Sequence, residues 1–444
     1  MNRLNINAQG ERSLNAVNAK NKSHDLFLIK RAIWIYFFLV IFEGAIRKWI
    51  LPALSTPLLV AREPFTIYII ILSIRNRLFP ASISLPLLIL ISILSFFAAV
   101  FFGHQNIFVA LFGARIFLLH IPVMFIIAQV FNNDDIVKMG RIMLWITLLM
   151  AIIIFLQFYS PQTAWINRGV GGNESGGGFQ GAMGYLRPPG TFSFTSGTTS
   201  FFSFAAPFVA FFWLSADKIK VNRALLIAAT FSVIIAIPLS ISRTLFFNVG
   251  LVLLFTIFIS IRNPVFLTRI LVALVVMFGA YTILSQQESV QTAIEVFTAR
   301  FENANESEGG LEGVLIDRFL GGMYNALFSG TNAPLWGYGI GMGSNVGAML
   351  LAGSTAFLLP EGEWGRLIGE IGMIMGLIVI FIRISMGAGI LTKAYFLLSK
   401  KQILPWLLLS TGLIVVLQGQ WGQPTNLGFF VIITGVLMAS VKQN

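Results

Sequence analysis

The sequence predicts an all-α polytopic membrane protein with about twelve transmembrane helices. Composition comes first. Of 444 residues, 56% are apolar and only 11% are charged, against roughly 25% charged in soluble domains. The mean hydropathy of +0.83 agrees. Segment length comes second, since a span needs about 20 predominantly apolar residues. Twelve apolar segments follow one another, centred near Phe37, Ile69, Ile91, Val123, Ile152, Ala206, Val233, Leu254, Val275, Leu377, Leu413 and Ile433. The first, second and sixth are short or carry charges, so their boundaries are soft.

Residues 1–25 are polar and basic (Arg3, Arg12, Lys20, Lys22) and lack the apolar core and cleavage site of a signal peptide. They read as a poorly ordered cytoplasmic tail, and residues 26–444 as one transmembrane domain. The 30 Lys+Arg outnumber the 18 Asp+Glu, giving a net charge of +12. In a membrane protein such an excess reports topology before it reports an anionic partner. Lys30 and Arg31, Arg75 and Arg77, Lys138 and Arg141, Lys218 with Lys220 and Arg223, Arg262 and Arg269, Lys393 with Lys400 and Lys401, and Lys442 fall at alternate segment ends. The positive-inside rule then puts both termini in the cytoplasm. The cytoplasmic loops are short, with no nucleotide-binding module and no nucleic-acid partner to expect. With no Cys there is no thiol catalysis and no disulfide. His24, His104 and His120 are too few and too scattered for a histidine-built metal site.

Two long loops fall on the outer face, 160–198 and 285–365. Long connections of this kind usually carry function. The first contains Gly171-Gly172, Gly176-Gly177-Gly178 and then Arg187-Pro188-Pro189-Gly190-Thr191-Phe192. The second contains short helical stretches, around Ile294 to Phe301 and Asp317 to Phe328, followed by Trp336-Gly337-Tyr338-Gly339-Ile340-Gly341-Met342-Gly343.

Positive charge on the outer side opposes the rule that sets the topology, so each case needs a reason. Arg47-Lys48 follow the first span, Arg62-Glu63 enter the second, and Arg115 lies about eight residues into the fourth. Arg243 sits in the outer turn Ser240-Ile241-Ser242-Arg243-Thr244, and Arg187 and Arg366 lie in or beside the long loops. A charge inside a span faces a cavity or a partner by default. Together these cations suit a pocket for phosphate groups, because Arg matches phosphate oxygens bidentately. Structural readings stand beside that one. Arg62 and Glu63 can belong to an ion-pair network with Glu43, Arg47-Lys48 can snorkel to headgroups, and Arg243 can cap a helix. His120, on an apolar face, reads as a packed, hydrogen-bonded histidine.

The carboxylates form a second constellation. Glu363, Arg366 and Glu370 recur at spacings of three and four, which puts them on one face of the helix opening the tenth span. Acidic residues in a first turn also favour the helix dipole. The chemical reading is a carboxylate base, Glu361 or Glu363, that takes the proton of an acceptor hydroxyl. Arg366 then pairs with Glu363 or Glu370, or contacts substrate. Glu370 lies deeper and reads as structural. The glycine runs lack the Gly-Lys-Ser/Thr ending of a phosphate loop, and read as close turns over a site or as flexible chain.

The chain resembles the O-antigen ligase/polymerase superfamily of bacterial envelope glycan enzymes over about residues 30–440. The likeness rests on twelve spans with both ends inside, a main periplasmic loop before the tenth span, and a series of short motifs. These are Arg187 with Gly190-Thr191-Phe192, Ser242-Arg243, Gly337-Tyr338-Gly339-Ile340-Gly341, and Glu370-Ile371-Gly372 with Gly376-Leu377. The resemblance implies a GT-C-like membrane glycosyltransferase of the inner membrane. Such an enzyme uses a polyprenyl-pyrophosphate-linked glycan as donor, with no metal or other cofactor, and other polysaccharide export proteins are possible partners. It implies that Arg187 and Arg243 bind pyrophosphate; the charge reading above adds Arg115, Arg366, Arg47 and Lys48 as candidate substrate contacts. Ligases of the family carry a His just before the Glu-x-Gly helix. Here that position falls at about Glu361, which favours a divergent polymerase or a paralogue with another role. A transporter or flippase for an anionic solute or lipid-linked glycan is the competing expectation, and a non-catalytic scaffold of an export assembly is a third.

Overall fold

In the computed structural model the chain is an all-helical bundle. The structure describes residues 2–215, 219–261, 267–269, 271, 275, 279, 282, 286–308, 324, 326, 334–353, 357–360 and 362–442. Among these are α1 (Asn2–Ala45), α2 (Glu63–Arg75), α3 (Ser84–Phe101), α4 (Ile107–Arg115), α5 (Ile121–Val130), α6 (Asn133–Tyr159), α7 (Thr195–Leu214), α8 (Arg223–Leu239) and α9 (Arg243–Ile261). There follow α10 (Glu288–Glu308), α11 (Asn345–Ala352), α12 (Glu363–Ile371), α13 (Met373–Ser399), α14 (Leu404–Gln418) and α15 (Pro424–Val441). Eight helical stretches are long and apolar enough to cross a membrane, and α8 and α14 are shorter apolar helices. The ninth expected segment, around Val275, lies mostly outside the described residues, as does the helical stretch expected at Asp317 to Phe328.

Burial sorts the helices. α5, α7 and α15 are enclosed nearly all round, whereas α3, α9 and α13 leave Phe101, Leu254 and Phe381 exposed. An apolar helix hydrophobic on every side is a central one, and exposed apolar faces on the outer helices suit a hydrocarbon surround. α15 packs along α5, α14 lies between α13 and α7, and α6 packs along α8.

The connections gather at two ends. At one, Lys30 pairs with Asp135 at 2.5 Å, Asn76 bonds Asp25, and Lys442 bonds Gln129. Asp135 also closes a capping box with Asn132, which starts α6. At the other, here the loop face, residues 46–62, 103–106, 160–196, 337–344 and 419–424 touch one another. His104 N–H donates to Tyr338 O at 3.1 Å, Lys48 to Gly190 O at 2.6 Å, and Ser196 to Gln423 at 3.3 Å.

Several expectations change in detail. The first 25 residues, expected as a poorly ordered tail, belong to α1 from Asn2 onward. The first long loop ends at α7, which begins at Thr195, and it contains an antiparallel hairpin, β1 (Phe179–Ala182) with β2 (Tyr185–Arg187). The stretch expected at Ile294 to Phe301 lies within α10.

The tenth apolar segment is broken. Gly372, at φ 81° and ψ 166°, separates α12 from α13, a conformation that costs an L side chain heavily. A helix end leaves carbonyls without partners, and in an apolar bundle each must find one. The glycine run provides them: Tyr338 N–H donates to Gly369 O at 2.7 Å and Gly339 N–H to Glu370 O at 3.0 Å. Gly337, Gly339 and Gly341 all have positive φ, so the run can turn back against the helix end. These glycines cap a helix; they do not form a loose lid. At Gly341 a Cβ would sit 2.2 Å from Val109 O, whereas at Gly250 it would meet nothing within 4 Å. Gly341→Ala therefore adds the collision to a backbone strain of about 1–3 kcal/mol. It is expected to lower the melting temperature of the detergent-solubilised protein, with Gly250→Ala near wild type in the same fluorescence-detected melt.

Candidate functional site

Two buried networks of charge lie under the loop face. The first joins α1, α2 and the α4–α5 span. Glu43 lies 3.0 Å from Arg62 Nε and 3.5 Å from Arg47 Nη1. Arg115 pairs with Glu63, and its guanidinium carbon stands 3.7 Å over the Phe112 ring. Two π-helical segments set these side chains, Ile46–Ile50 after α1 and Ile116–His120 between α4 and α5. A π-bulge shifts the helix register by one residue. Here the second segment carries Arg115 at its entrance and His120 at its exit. His120 is fully buried, hydrogen-bonded to Tyr36 Oη at 3.0 Å and 3.5 Å from Glu63. With His120 neutral, Arg47, Arg62 and Arg115 against Glu43 and Glu63 leave one positive charge in excess.

Arg62 reaches across the bundle: its Nη2 donates to Pro424 O at 2.9 Å. Its Nη1 has no hydrogen-bond partner and faces Gly428, where a Cβ would come within 2.4 Å. Nearby, Arg47 Nε donates to Ser55 O at 2.7 Å and its Nη1 lies 3.3 Å from Ser193 Oγ. Lys48, 1% exposed, donates to Gly190 O. Arg47 and Lys48 are thus bonded inside the protein and do not reach out to headgroups.

The second network is built on the broken segment. Arg366 grips Glu363 with two bonds, Nε to Oε2 at 2.9 Å and Nη2 to Oε1 at 2.8 Å, and donates from Nη1 to Glu370 at 2.6 Å. Arg383, from the middle of α13, donates to Glu363 Oε1 at 3.1 Å and to the carbonyls of Val416 and Gly419 at 2.8 and 2.9 Å. The Trp421 amide donates to Glu363 Oε2 at 3.1 Å, and the Gly343 amide to Glu370 Oε1 at 2.8 Å. Two arginines face two carboxylates, so this network is balanced.

Glu363 is 3% exposed and each of its oxygens takes two donors. A base must have a lone pair free for an incoming proton, and the Glu363 carboxylate has none to spare. Its geometry is that of an anchor for Arg366 and Arg383. Glu361, the other carboxylate expected to act as a base, lies outside the described residues.

Arg187 and Arg243 lie on other elements. Arg187 ends β2 opposite Phe179, and Arg243 opens α9. Gly181 of β1 packs on Ile241, two residues before Arg243, so closely that a Cβ there would meet the Ile241 side chain at 2.7 Å. Ile241 has a positive φ of 48°. That unusual backbone turns Ser242 toward Thr199, with hydroxyls 2.9 Å apart, and lets Ser242 cap the Leu245 amide. Both arginines are half-buried.

The residues of the expected cationic pocket lie on several elements. Arg47 and Arg115 join one network, Arg366 joins the other, Lys48 donates to Gly190 O, Arg187 ends β2 and Arg243 opens α9. Sequence reasoning missed Arg383. Its signal was plain, a lone arginine in the run Phe381-Ile382-Arg383-Ile384, and intramembrane charge asks for a partner. The turn 419–424 was also missed, since its role comes from backbone atoms. Among the described residues no group of acidic or histidine side chains is placed to hold a metal. Comparison with known protein families, curated proteins and solved structures finds no match.

Removing one partner of a buried ion pair costs about 3–5 kcal/mol, because the other charge stays buried. Glu363→Gln, which leaves two arginines facing one carboxylate, should lower the melting temperature and the yield of folded protein. Glu174→Gln breaks only the exposed pair with Arg168 and should leave both unchanged. A wild-type melt for Glu363→Gln would show that the carboxylate is not an anchor.

Proposed function

We infer that the chain is a membrane glycosyltransferase that polymerises or transfers polyprenyl-pyrophosphate-linked polysaccharide repeat units on the extracytoplasmic face. On this reading it crosses the inner membrane twelve times with both termini in the cytoplasm, and the loop face is extracytoplasmic. The feature that supports the reading is the hairpin that carries Arg187 at the end of β2 and packs Gly181 on Ile241, two residues before Arg243. Pyrophosphate is a good leaving group, so such a reaction mainly requires charge stabilisation and alignment. Two half-buried guanidinium groups suit the first requirement. Glu363 is committed to its arginines, so the base assignment passes to Glu361, with Glu363 as the residue that holds the helix behind it.

A transporter or flippase is the second reading, favoured by the break at Gly372 beside a buried charge network. Discontinuous helices commonly build solute sites in transporters, with unwound carbonyls coordinating ions. Here the carbonyls of Gly369 and Glu370 are taken by the amides of Tyr338 and Gly339, which weighs against an ion site at that end.

In a strain lacking the chain, single lipid-linked repeat units should accumulate outside the membrane while long chains disappear. Full-length chains that stay on their carrier would mean a ligase. Repeat units trapped on the cytoplasmic side would mean a flippase. Restoring the gene with Arg187→Ala or Arg243→Ala should lower polymer at least about tenfold, since a hydrogen bond to a charged group contributes about 1.5–3 kcal/mol. Membrane levels of the protein should be unchanged. Arg→Lys should restore little, because a point charge lacks the bidentate fork. Glu361→Gln should abolish polymer with normal protein levels, and wild-type polymer from this variant would rule Glu361 out as the base.

A further inference from the structure

A cavity of about 140 Å³ lies between α7, α8 and α9, within a furrow of about 840 Å³. Ala210 and Trp213 of α7, Val233 of α8 and Val252 of α9 line it. The furrow opens sideways. Leu253 and Ile257, on its α9 edge, are 40% and 42% exposed, and exposed apolar side chains of an outer helix face hydrocarbon. The cavity is thus reached from the bilayer and not from water.

Among the described residues, the hydroxyls and the indole of its wall are bonded within the protein. Trp213 Nε1 donates to Thr230 Oγ1 at 3.0 Å, and Thr230 and Thr256 donate to the carbonyls of Leu226 and Val252 at 2.7 and 2.6 Å. A trapped water needs polar partners, and an apolar cavity of about 150 Å³ stays dry and takes a benzene-sized hydrocarbon. Left empty, such a void forfeits the dispersion contacts of its lining. Beside a bilayer, the group at hand to restore them is a hydrocarbon chain.

Position and charge name the lipid. α7 runs from the loop face to Leu214, and α8 returns from Arg223. The cavity touches α7 only from Ala206 onward, so it lies toward the end away from the loop face. Arg269 lines it there and donates to Leu214 O at 2.8 Å, and Lys220 and Arg223 are exposed at the same end. The connections 215–223 and 262–269 carry Lys218, Lys220, Arg223, Arg262 and Arg269 against one carboxylate, Asp217. Whatever the pairing among them, the excess is positive. Clustered basic residues at a membrane surface attract anionic headgroups. On the transferase reading the pyrophosphate of the donor sits at the loop face, across the bilayer from these cations.

We propose that the cavity between α7, α8 and α9 takes up one acyl chain of an anionic phospholipid from the leaflet opposite the loop face, with the headgroup beside Lys220 and Arg223. The site is separate from that of the transferase reading and does not depend on it.

The test is fluorescence of the full chain in phosphatidylcholine nanodiscs that contain a minor fraction of lipid brominated on its acyl chains. Bromine quenches tryptophan on contact, and the part due to Trp213 is the difference between wild type and Trp213→Phe. Brominated phosphatidylglycerol should quench Trp213 at a mole fraction at least about fivefold lower than brominated phosphatidylcholine, the selectivity of a single basic residue at the surface. Ala210→Leu, which fills the cavity, should remove most of this quenching with an unchanged melt. Lys220→Gln/Arg223→Gln should keep the quenching and lose the preference between the two lipids. Both side chains are exposed, so this double variant decides the matter if Ala210→Leu does not fold. Equal quenching by the two lipids, unchanged quenching in folded Ala210→Leu, or an undiminished preference in the double variant would each overturn the proposal. Relief of the quenching by polyprenyl phosphate at a lower fraction than by unlabelled phosphatidylglycerol would overturn it in favour of an isoprenoid tail.

Discussion

Buried charge must be matched, and the six-residue turn from Gly419 to Pro424 is where this protein matches it. From one side Arg62 donates to Pro424 O. From the other, Arg383 donates to Gly419 O and Glu363 accepts from the Trp421 amide. The Trp421 ring fills the space between, edge-on to Phe117 at 5.4 Å and near Phe430 at 5.1 Å, with the Arg383 guanidinium 4.5 Å from its centre. One short connection is thus held by both networks. Helices far apart in sequence, α1 and α2 on one side and α12 and α13 on the other, are tied through it. Replacing such networks by apolar residues often costs little stability. What they supply here is a fixed position for α12 and for the entrance of α15.

Departures from regular helix serve the same end. A regular α-helix satisfies its backbone but fixes where side chains point. The two π-helical segments and the break at Gly372 relax that constraint at three places, and each lies beside a buried cation: Lys48, Arg115 and Arg366. The break would leave carbonyls unpaired in an apolar setting were it not for the glycine run of the long loop. The loop is therefore part of the membrane fold as well as its cover. This explains why Gly337, Gly339 and Gly341 lie against Glu370, Ala99 and Val109, respectively, and not over an open cavity.

What the sequence revealed follows from what its signals measure. Span length and charge alternation are summed over 20 residues, so they locate most helices well. Spacings of three and four found the Glu363–Arg366–Glu370 face because that geometry is local to one helix. They could not reveal that Arg383 arrives from the next helix and saturates Glu363, since that depends on a break whose angle is set by loop contacts. Likewise Glu43, Arg62, Glu63 and Arg115 could be flagged one by one as charges in apolar segments. Their pairing order, Arg62 with Glu43 and Arg115 with Glu63, is fixed by how α1, α2 and the α4–α5 span pack. The hairpin of 179–187 was hidden because two short strands inside a glycine-rich loop give too few residues for a period-two pattern.

The pairing of the cations has a consequence for the charge left on this face. The network around Glu363 is balanced, and that around Glu43 and Glu63 carries one excess positive charge. Lys48, buried beside the latter, adds to it when protonated. Charge is therefore matched around Arg366 and in excess beside Arg47, whose Nη1 lies 3.3 Å from Ser193 Oγ. An anionic group near this face is favoured on the Arg47 side and not over Arg366. Electrostatic complementarity of this kind selects orientation more than it raises affinity.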